Sequence, residues 1–68
     1  MDMTIGKRIA ILRREKELKQ DELAEMLNVS PQAISKWENN QTCPDISLLP
    51  RLAEIFGVTV DKLLTGKK

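Results

Sequence analysis

The stretch SPQAISKWENN, residues 30–40, predicts a helix with one apolar side and one polar side, and the polar side raises the question of function. Ser30 can cap a helix with its hydroxyl, and Pro31 suits the first helical position because no backbone N–H is needed there. At 100° per residue, one face of this helix is apolar, with Ala33, Ile34 and Trp37. The opposite face carries hydrogen-bonding groups: Gln32, Ser35, Lys36 and Asn39. That polar face is either solvated surface or a recognition surface for a partner rich in hydrogen-bonding groups.

A second helix is predicted immediately before it, from about Gln20 to Asn28. Acidic residues in its first turn suit the positive end of the helix dipole, and Leu23, Ala24 and Leu27 share a side. Asn28 tolerates the left-handed conformation that commonly ends a helix. Only residues 28–30 separate the two helices, which is the frame of a helix-turn-helix. An ordinary helical hairpin uses similar residues, so spacing alone leaves both interpretations open.

The first helix is predicted from its cap and its period. Thr4 is the expected N-cap, and the helix is expected to end near Glu17. One apolar face is formed by Ile5, Ile9 and Leu12. Ile11 points away from that face and is expected to be exposed.

Two more helices are predicted after the loop NNQTCPD, residues 39–45. Asp45 and Ser47 could both cap the fourth helix. We choose Ser47 because Pro50 then lies in the first turn, where its missing donor costs nothing. This helix is expected to end at Gly57, and a short fifth helix is expected between a Thr59 cap and Gly66.

Composition narrows the class of protein. Sixty-eight residues fit one small domain, residues 1–68. A single cysteine, Cys43, and no histidine exclude an internal disulfide and a Cys/His zinc site, and Cys43 is interpreted as an incidental loop thiol. No phosphate-cradling glycine loop and no evident carboxylate pair are present, so we expect neither an enzyme nor a bound cofactor or metal. Without a long apolar run or a secretory signal, the expected location is the cytoplasm, with no membrane partner.

The formal net charge is +1, but the charge is segregated along the chain. Residues 1–19 carry +3, residues 20–38 carry −3 and residues 39–68 carry +1. A nearly neutral body can therefore present a locally basic face. Segregation alone does not establish a nucleic-acid partner.

Beyond these local signals, LKQDELAEMLNVSPQAISKWENN, residues 18–40, resembles the phage Cro/repressor-type helix-turn-helix family, also called the Xre family. The segment PDISLLPRLAEIFGVTVDKLL, residues 44–64, resembles that family's last two helices, and the similarity begins at IGKRIAILRREKELKQ, residues 5–20. The resemblance implies an all-α fold, a compact five-helix lambda-repressor-like DNA-binding domain. Its third helix would enter the major groove.

The resemblance also implies roles for individual residues. Gln20 matches a position that hydrogen-bonds a DNA phosphate. The alternative is that Gln20 only supports the start of the second helix. Gln32 and Lys36 match positions that touch base edges, where Gln pairs with adenine and Lys with guanine. Ser35 could serve a base or a phosphate, and the Pro31 ring can contribute contact or shape only. The alternative for Gln32, Ser35 and Lys36 is that they are ordinary solvated surface.

Just after the third helix, three residues match family positions that contact the DNA backbone: Asn39, Asn40 and Thr42. Arg13 and Glu38 match a pair that usually forms a structural salt bridge between the first and third helices. Trp37 is interpreted as core. Glu17 and Asn28 stand where the family often has glycine, which leaves the geometry of those turns as an expectation to be tested.

The implied function is a sequence-specific DNA-binding transcriptional regulator, a repressor, with double-stranded DNA as its partner. A domain of this size is expected to act as a homodimer on half-sites about 34 Å apart. The expected pairing surface is C-terminal, with Val58, Val60 and Leu64. The alternative is a protein-interaction module of the same fold, such as an antitoxin or an adaptor.

Overall fold

The computed structural model describes residues 4–66, which fold into five α-helices. A single 3-10 turn, Ile46–Leu48, precedes the fourth helix, and residues 4–66 contain no strand. The all-α, five-helix prediction is confirmed. The helices are α1 (Ile5–Glu15), α2 (Gln20–Leu27), α3 (Pro31–Glu38), α4 (Leu49–Phe56) and α5 (Val60–Thr65).

Side-chain caps start three of the helices at the predicted residues. The hydroxyl of Thr4 accepts from the backbone N–H of Lys7 at 3.2 Å and starts α1. Ser30 and Thr59 cap α3 and α5 in the same way, at 3.1 and 3.0 Å. Each cap satisfies a backbone donor that the first turn of a helix leaves unpaired.

The predicted end of α1 is wrong by two residues. The helix ends at Glu15, because Glu17 adopts a left-handed conformation with φ of 57°. The backbone N–H groups of Glu17 and Leu18 then donate to the carbonyls of Arg14 and Arg13, at 2.9 and 3.0 Å. These are the two hydrogen bonds of a Schellman motif, formed here without glycine.

The predicted cap of the fourth helix is also wrong. Asp45, not Ser47, supplies the capping oxygen, and its carboxylate accepts from the backbone N–H of Ser47 at 3.0 Å. Asp45 starts the 3-10 turn, and α4 follows at Leu49 without a side-chain cap. The inserted turn lets Asp45 cap while Pro50 still lies in the first turn of α4, where its missing donor is harmless.

Every helix contributes one side chain with 0 % exposure to a common core: Ile9, Leu23, Ile34, Leu52 and Leu63. Trp37 and Phe56 pack in the same cluster, which confirms Trp37 as a core residue. Full burial of such a side chain is worth about 1.5–3 kcal/mol. The core therefore fixes all five helices relative to one another.

Arg8 joins the ends of the described chain. Its guanidinium donates to the backbone carbonyl of Leu63 at 2.7 Å and also to that of Leu64. These carbonyls lie in the last turn of α5, where a cation is favoured by the negative end of the helix dipole. With only six residues, α5 depends on its packing against α1 and α4.

Gly6 lies where the C-terminal end of α3 comes close to α1. A Cβ atom on this residue would lie 2.0 Å from the backbone oxygen of Trp37 and 2.7 Å from Oδ1 of Asn40. Only glycine leaves room for the C-terminal end of α3 at this distance. The close contact sets how α3 lies across α1.

We predict that Gly6→Ala destabilises the domain by about 1–3 kcal/mol. The added methyl would collide with the backbone of Trp37, and α3 would have to move to make room. The loss should appear although alanine is the better helix former by about 1 kcal/mol. Urea unfolding measures the effect, with Lys7→Ala on the exposed side of the same helix as the control, expected within about 0.5 kcal/mol of wild type. A Gly6→Ala protein as stable as wild type would contradict the close approach.

Candidate nucleic-acid interface

The two central helices, α2 and α3, are separate and are joined by residues 28–30. Asn28 adopts the expected left-handed conformation, with φ of 61°, so glycine is not required there. Ala24 is 1 % exposed and sits within the core, as do Ile34 and Trp37. The apolar side of α3 predicted from the sequence is therefore buried, and its packing holds α3 against the domain.

The opposite face of α3 is open. Gln32, Lys36 and Asn39 are exposed and Ser35 is half-buried. Asn39 folds back, because its Nδ2 donates to the carbonyl oxygen of Ser35 at 2.9 Å. Gln32 and Lys36 form no side-chain hydrogen bond within residues 4–66, so both side chains are available to an external partner.

The loop after α3 is tied to the start of α1. Asn40 has a left-handed backbone with φ of 62°, and its Oδ1 accepts from the hydroxyl of Thr4 at 2.7 Å. Thr4 thus both caps α1 and holds Asn40, and this link between residues 36 positions apart has no local signal in the sequence. Thr42 is exposed in the same loop and Pro31 is exposed at the start of α3.

Beside this face, Glu38 connects three helices through one carboxylate. Its Oε2 lies 2.6 Å from Nε of Arg13, and its Oε1 accepts from Nη2 of Arg13 at 3.1 Å. Gln20, the first residue of α2, donates from Nε2 to the same Oε1 at 3.0 Å. Arg13 also donates to the carbonyl of Leu18 in the α1–α2 loop at 2.7 Å. We call this group the Glu38 bridge.

The two charged side chains of the Glu38 bridge are nearly inaccessible to solvent, with 11 % exposure for that of Arg13 and 6 % for that of Glu38. Burial alone would raise the pKa of Glu38. Hydrogen bonds from Arg13 and Gln20, with the positive charges of Arg13 and Arg14, outweigh that effect and leave the pKa below its ordinary value. The hydrogen bond to Glu38 raises the pKa of Arg13. The pair is therefore ionised at neutral pH.

Gln20 was expected to contact a DNA phosphate, but part of its side-chain amide is already engaged by Glu38. One of its two amide N–H groups is directed to Glu38, and the second remains for another acceptor. The side chain is half-buried, so it both supports the bridge and borders the surface of α3. The link between Gln20 and Glu38 spans 18 residues of sequence and has no local signal.

The Glu38 bridge gives stability a defined pH dependence. An unfolded glutamate titrates near pH 4.3, and the folded pKa of Glu38 is lower. Ionisation of Glu38 therefore stabilises the fold fully above about pH 4.3, and this contribution is lost as the pH falls through the folded pKa. We predict that Glu38→Gln costs roughly 3 kcal/mol at pH 7, because Arg13 is left without its counter-charge. The same variant should lose less stability than wild type on acidification.

Urea unfolding between pH 7 and pH 3 measures both effects. Glu54→Gln is the matched control, because Glu54 pairs with Arg51 on the surface and should contribute less than about 1 kcal/mol. If the free energy of unfolding falls equally with pH in wild type and in Glu38→Gln, ionisation of the Glu38 carboxylate does not stabilise the fold.

Two helices braced through small and apolar residues and joined by three residues define a helix-turn-helix protein. A family model described as helix-turn-helix matches residues 9–63 of this chain. The chain belongs to this helix-turn-helix family, and the resemblance to the Cro/repressor type is confirmed.

Named relatives and solved structures agree with this membership. The HTH-type transcriptional activator BcrR of Enterococcus faecalis is 41% identical over 66 residues, which cover 97% of this chain and 32% of BcrR. The P22 c2 repressor, solved with a synthetic operator, is 34% identical with a TM-score of 0.88, covering 96% of this chain and 98% of the solved one. SinR, solved with DNA, is 34% identical with a TM-score of 0.79, covering 88% and 97%.

The chain spans about a third of the length of BcrR, the curated relative described above. Within residues 4–66, no helix has the length and apolar character needed to cross a membrane. The same residues contain no group of three or more Cys, Asp or Glu side chains arranged to hold a metal ion.

Proposed function

We propose that this chain is the DNA-binding part of a sequence-specific transcriptional regulator, a repressor, that reads the major groove with α3. The observation that carries the proposal is the two-sided character of α3. Ile34 and Trp37 are buried on one side, while Gln32 and Lys36 extend unpaired from the other. The P22 c2 repressor and SinR, which share this fold, were both solved with DNA.

Base reading is assigned to the open face of α3. The amide of Gln32 can pair with adenine through two hydrogen bonds, and the ammonium of Lys36 can donate to O6 and N7 of guanine. Ser35 is half-buried and can reach a base or a phosphate from the same face. Pro31 supplies contact and shape at the entry to the helix.

Phosphate contacts are assigned to residues at the edges of that face. Gln20 offers its second amide N–H at the N-terminus of α2, where the helix dipole favours an anion. Asn40 accepts from Thr4 with its oxygen, and its Nδ2 has no partner within residues 4–66. Asn39 and Thr42 complete the set, and together these contacts would fix the register of α3 on the duplex.

The proposed regulator acts as a homodimer on a two-fold site. One small domain offers a limited interface, so two copies on half-sites about 34 Å apart give useful affinity. The C-terminal surface offers Leu64, which is 43 % exposed. Val58 and Val60 are half-buried against the core, so this surface is less apolar than the sequence suggested.

Selection of bound sequences from random duplex DNA tests the function directly. The expected result is an enriched motif with two related half-sites about 10–10.5 base pairs apart, centre to centre, or a multiple of that. Binding should weaken as salt rises, with a slope of about −0.9 for each phosphate contact. An antitoxin-like or adaptor-like interaction module would give no enriched motif. It would instead bind a protein partner, with an affinity that depends little on salt.

Lys36→Ala tests the assignment within that motif. Affinity for the selected site should fall by about 1–3 kcal/mol, and preference at one base pair should relax, because one side chain reads that pair. Competition binding with point-substituted duplexes measures both quantities. Arg51→Ala, which removes an exposed cation of α4, is the control and should leave base preference unchanged. Uniform weakening across all duplexes would assign Lys36 to a phosphate instead.

A further inference from the structure

Residues 1–19 carry a positive excess of +3, and the contacts of its arginines and lysines show which charges remain available. Two of these cations are used inside the fold: Arg13 pairs with Glu38, and Arg8 donates to backbone carbonyls at the end of α5. Lys7 and Arg14 are both exposed and form no ion pair within residues 4–66. Their charges are therefore available to an external partner.

The two available cations lie on one side of α1, next to α3. They are seven residues apart, so they differ by only about 20° around the helix. Going round α1 from Lys7 and Arg14 toward α3, the next residue is Ala10, followed by Gly6 and Arg13. The last two contact the end of α3, Gly6 through its closeness to the backbone of α3 and Arg13 through its ion pair. Lys7 and Arg14 thus flank the junction of the two helices.

An open cavity of about 250 Å³ lies at this junction. It is lined by Lys7, Ala10, Ile11, Arg14 and Glu38. The short side chain of Ala10 leaves space between the two cations. Glu38 is the single acid of the lining, and its charge is already balanced by Arg13. The positive charge of Arg14 also helps to keep the pKa of Glu38 low, which agrees with its place beside the carboxylate. The cavity is therefore electropositive and suits an anion.

The cavity lies beside the surface assigned to DNA. It shares Glu38 with the Glu38 bridge, whose other donor is Gln20 at the start of α2. Asn39 follows Glu38 directly in the chain. Gln20 and Asn39 were both assigned to phosphates, so a DNA strand held by these two residues passes next to the cavity. Phosphate is the anion that such a strand presents.

We propose that Lys7 and Arg14 hold one phosphate of the DNA backbone between them, over Ala10. At 1.5 Å per residue, Ala10 lies about 4.5 Å from Lys7 and about 6 Å from Arg14 along the helix axis, so both long side chains reach a group placed there. The contact carries no base information. It anchors α1 on the strand and so helps to fix the register of α3. This inference rests on the proposed function.

The salt dependence of binding tests the contact. Lys7→Gln with Arg14→Gln removes both charges and keeps good helix formers. Binding should weaken similarly for all point-substituted duplexes, with base preference unchanged. The slope of log affinity on log salt should become shallower by about 0.9 for each copy bound. From about 50 to about 200 mM salt, the gap between wild type and the variant should therefore shrink about 3.5-fold per copy.

Lys16→Gln with Arg51→Gln is the matched control. It also removes one exposed lysine and one exposed arginine, but away from the cavity. Nζ of Lys16 lies beside Gly57 at the end of α4, and Arg51 belongs to α4 itself. This variant should leave the salt slope nearly unchanged.

Uncharged methylphosphonates, placed at one backbone position of the selected duplex at a time, locate the phosphate. Wild type should lose affinity at one position in each half-site that Lys7→Gln with Arg14→Gln no longer senses, while the other positions stay sensitive. Lys7→Gln alone and Arg14→Gln alone should each reduce the sensitivity at that same position, because the phosphate lies between them. Circular dichroism verifies that each variant is folded.

The possible outcomes separate this inference from the function on which it rests. If no motif is selected from random duplex DNA, both are overturned. If a motif is selected and Lys7→Gln with Arg14→Gln keeps the salt slope of wild type, the phosphate contact alone is wrong. The contact is equally wrong if the control variant changes the slope as much, if the two single variants identify different phosphates, or if the double variant relaxes preference at a base pair.

Discussion

The carboxylate of Glu38 is the interaction on which the proposed interface depends. It receives Arg13 from α1 and Gln20 from α2, and it belongs to the last turn of α3. A buried ion pair adds little net stability compared with apolar packing, because both charges lose their hydration. Its geometry is nevertheless demanding, since two donors must meet one carboxylate at hydrogen-bond distances. The consequence is a fixed angle between α2 and α3 at the edge of the surface assigned to DNA.

A second constraint acts at the same end of α3. Gly6 lets the backbone of Trp37 approach α1, and Thr4 holds Asn40 just beyond the helix. The core packs against the apolar side of α3, the Glu38 bridge fixes one flank, and the close contact at Gly6 fixes the C-terminal end. A helix of eight residues is marginal in isolation, so this tertiary support is what makes its polar face a rigid surface. Rigid placement is what discrimination between bases requires, because a few side chains must meet defined donor and acceptor positions.

Features encoded by neighbouring residues could be predicted from the sequence. Thr4, Ser30, Thr59 and Asn28 act on backbone groups within a few positions, so residue type and spacing located those helix ends. The prediction failed where residue type gives no clear signal. Glutamate seldom adopts the left-handed conformation found at Glu17, which displaced the end of α1.

Contacts between distant segments could not be predicted from local pattern. Gln20 with Glu38 and Thr4 with Asn40 join residues 18 and 36 positions apart, and the space left by Gly6 depends on the crossing of two helices. The ion pair of Arg13 and Glu38 was expected only through the family resemblance. Helical periodicity located the open face of α3, whereas the roles of Gln32 and Lys36 on DNA remain predictions because periodicity does not identify a ligand.

We propose that the Glu38 bridge and the core together present one face of α3 to DNA. The decisive measurement is the set of amide chemical-shift changes on adding the selected duplex to the isotopically labelled chain. We expect changes concentrated at the start of α2, along α3 and in the following loop, at Gln20, Gln32, Ser35, Lys36, Asn39, Asn40 and Thr42. Changes centred on α4 and α5, with α3 unaffected, would contradict it.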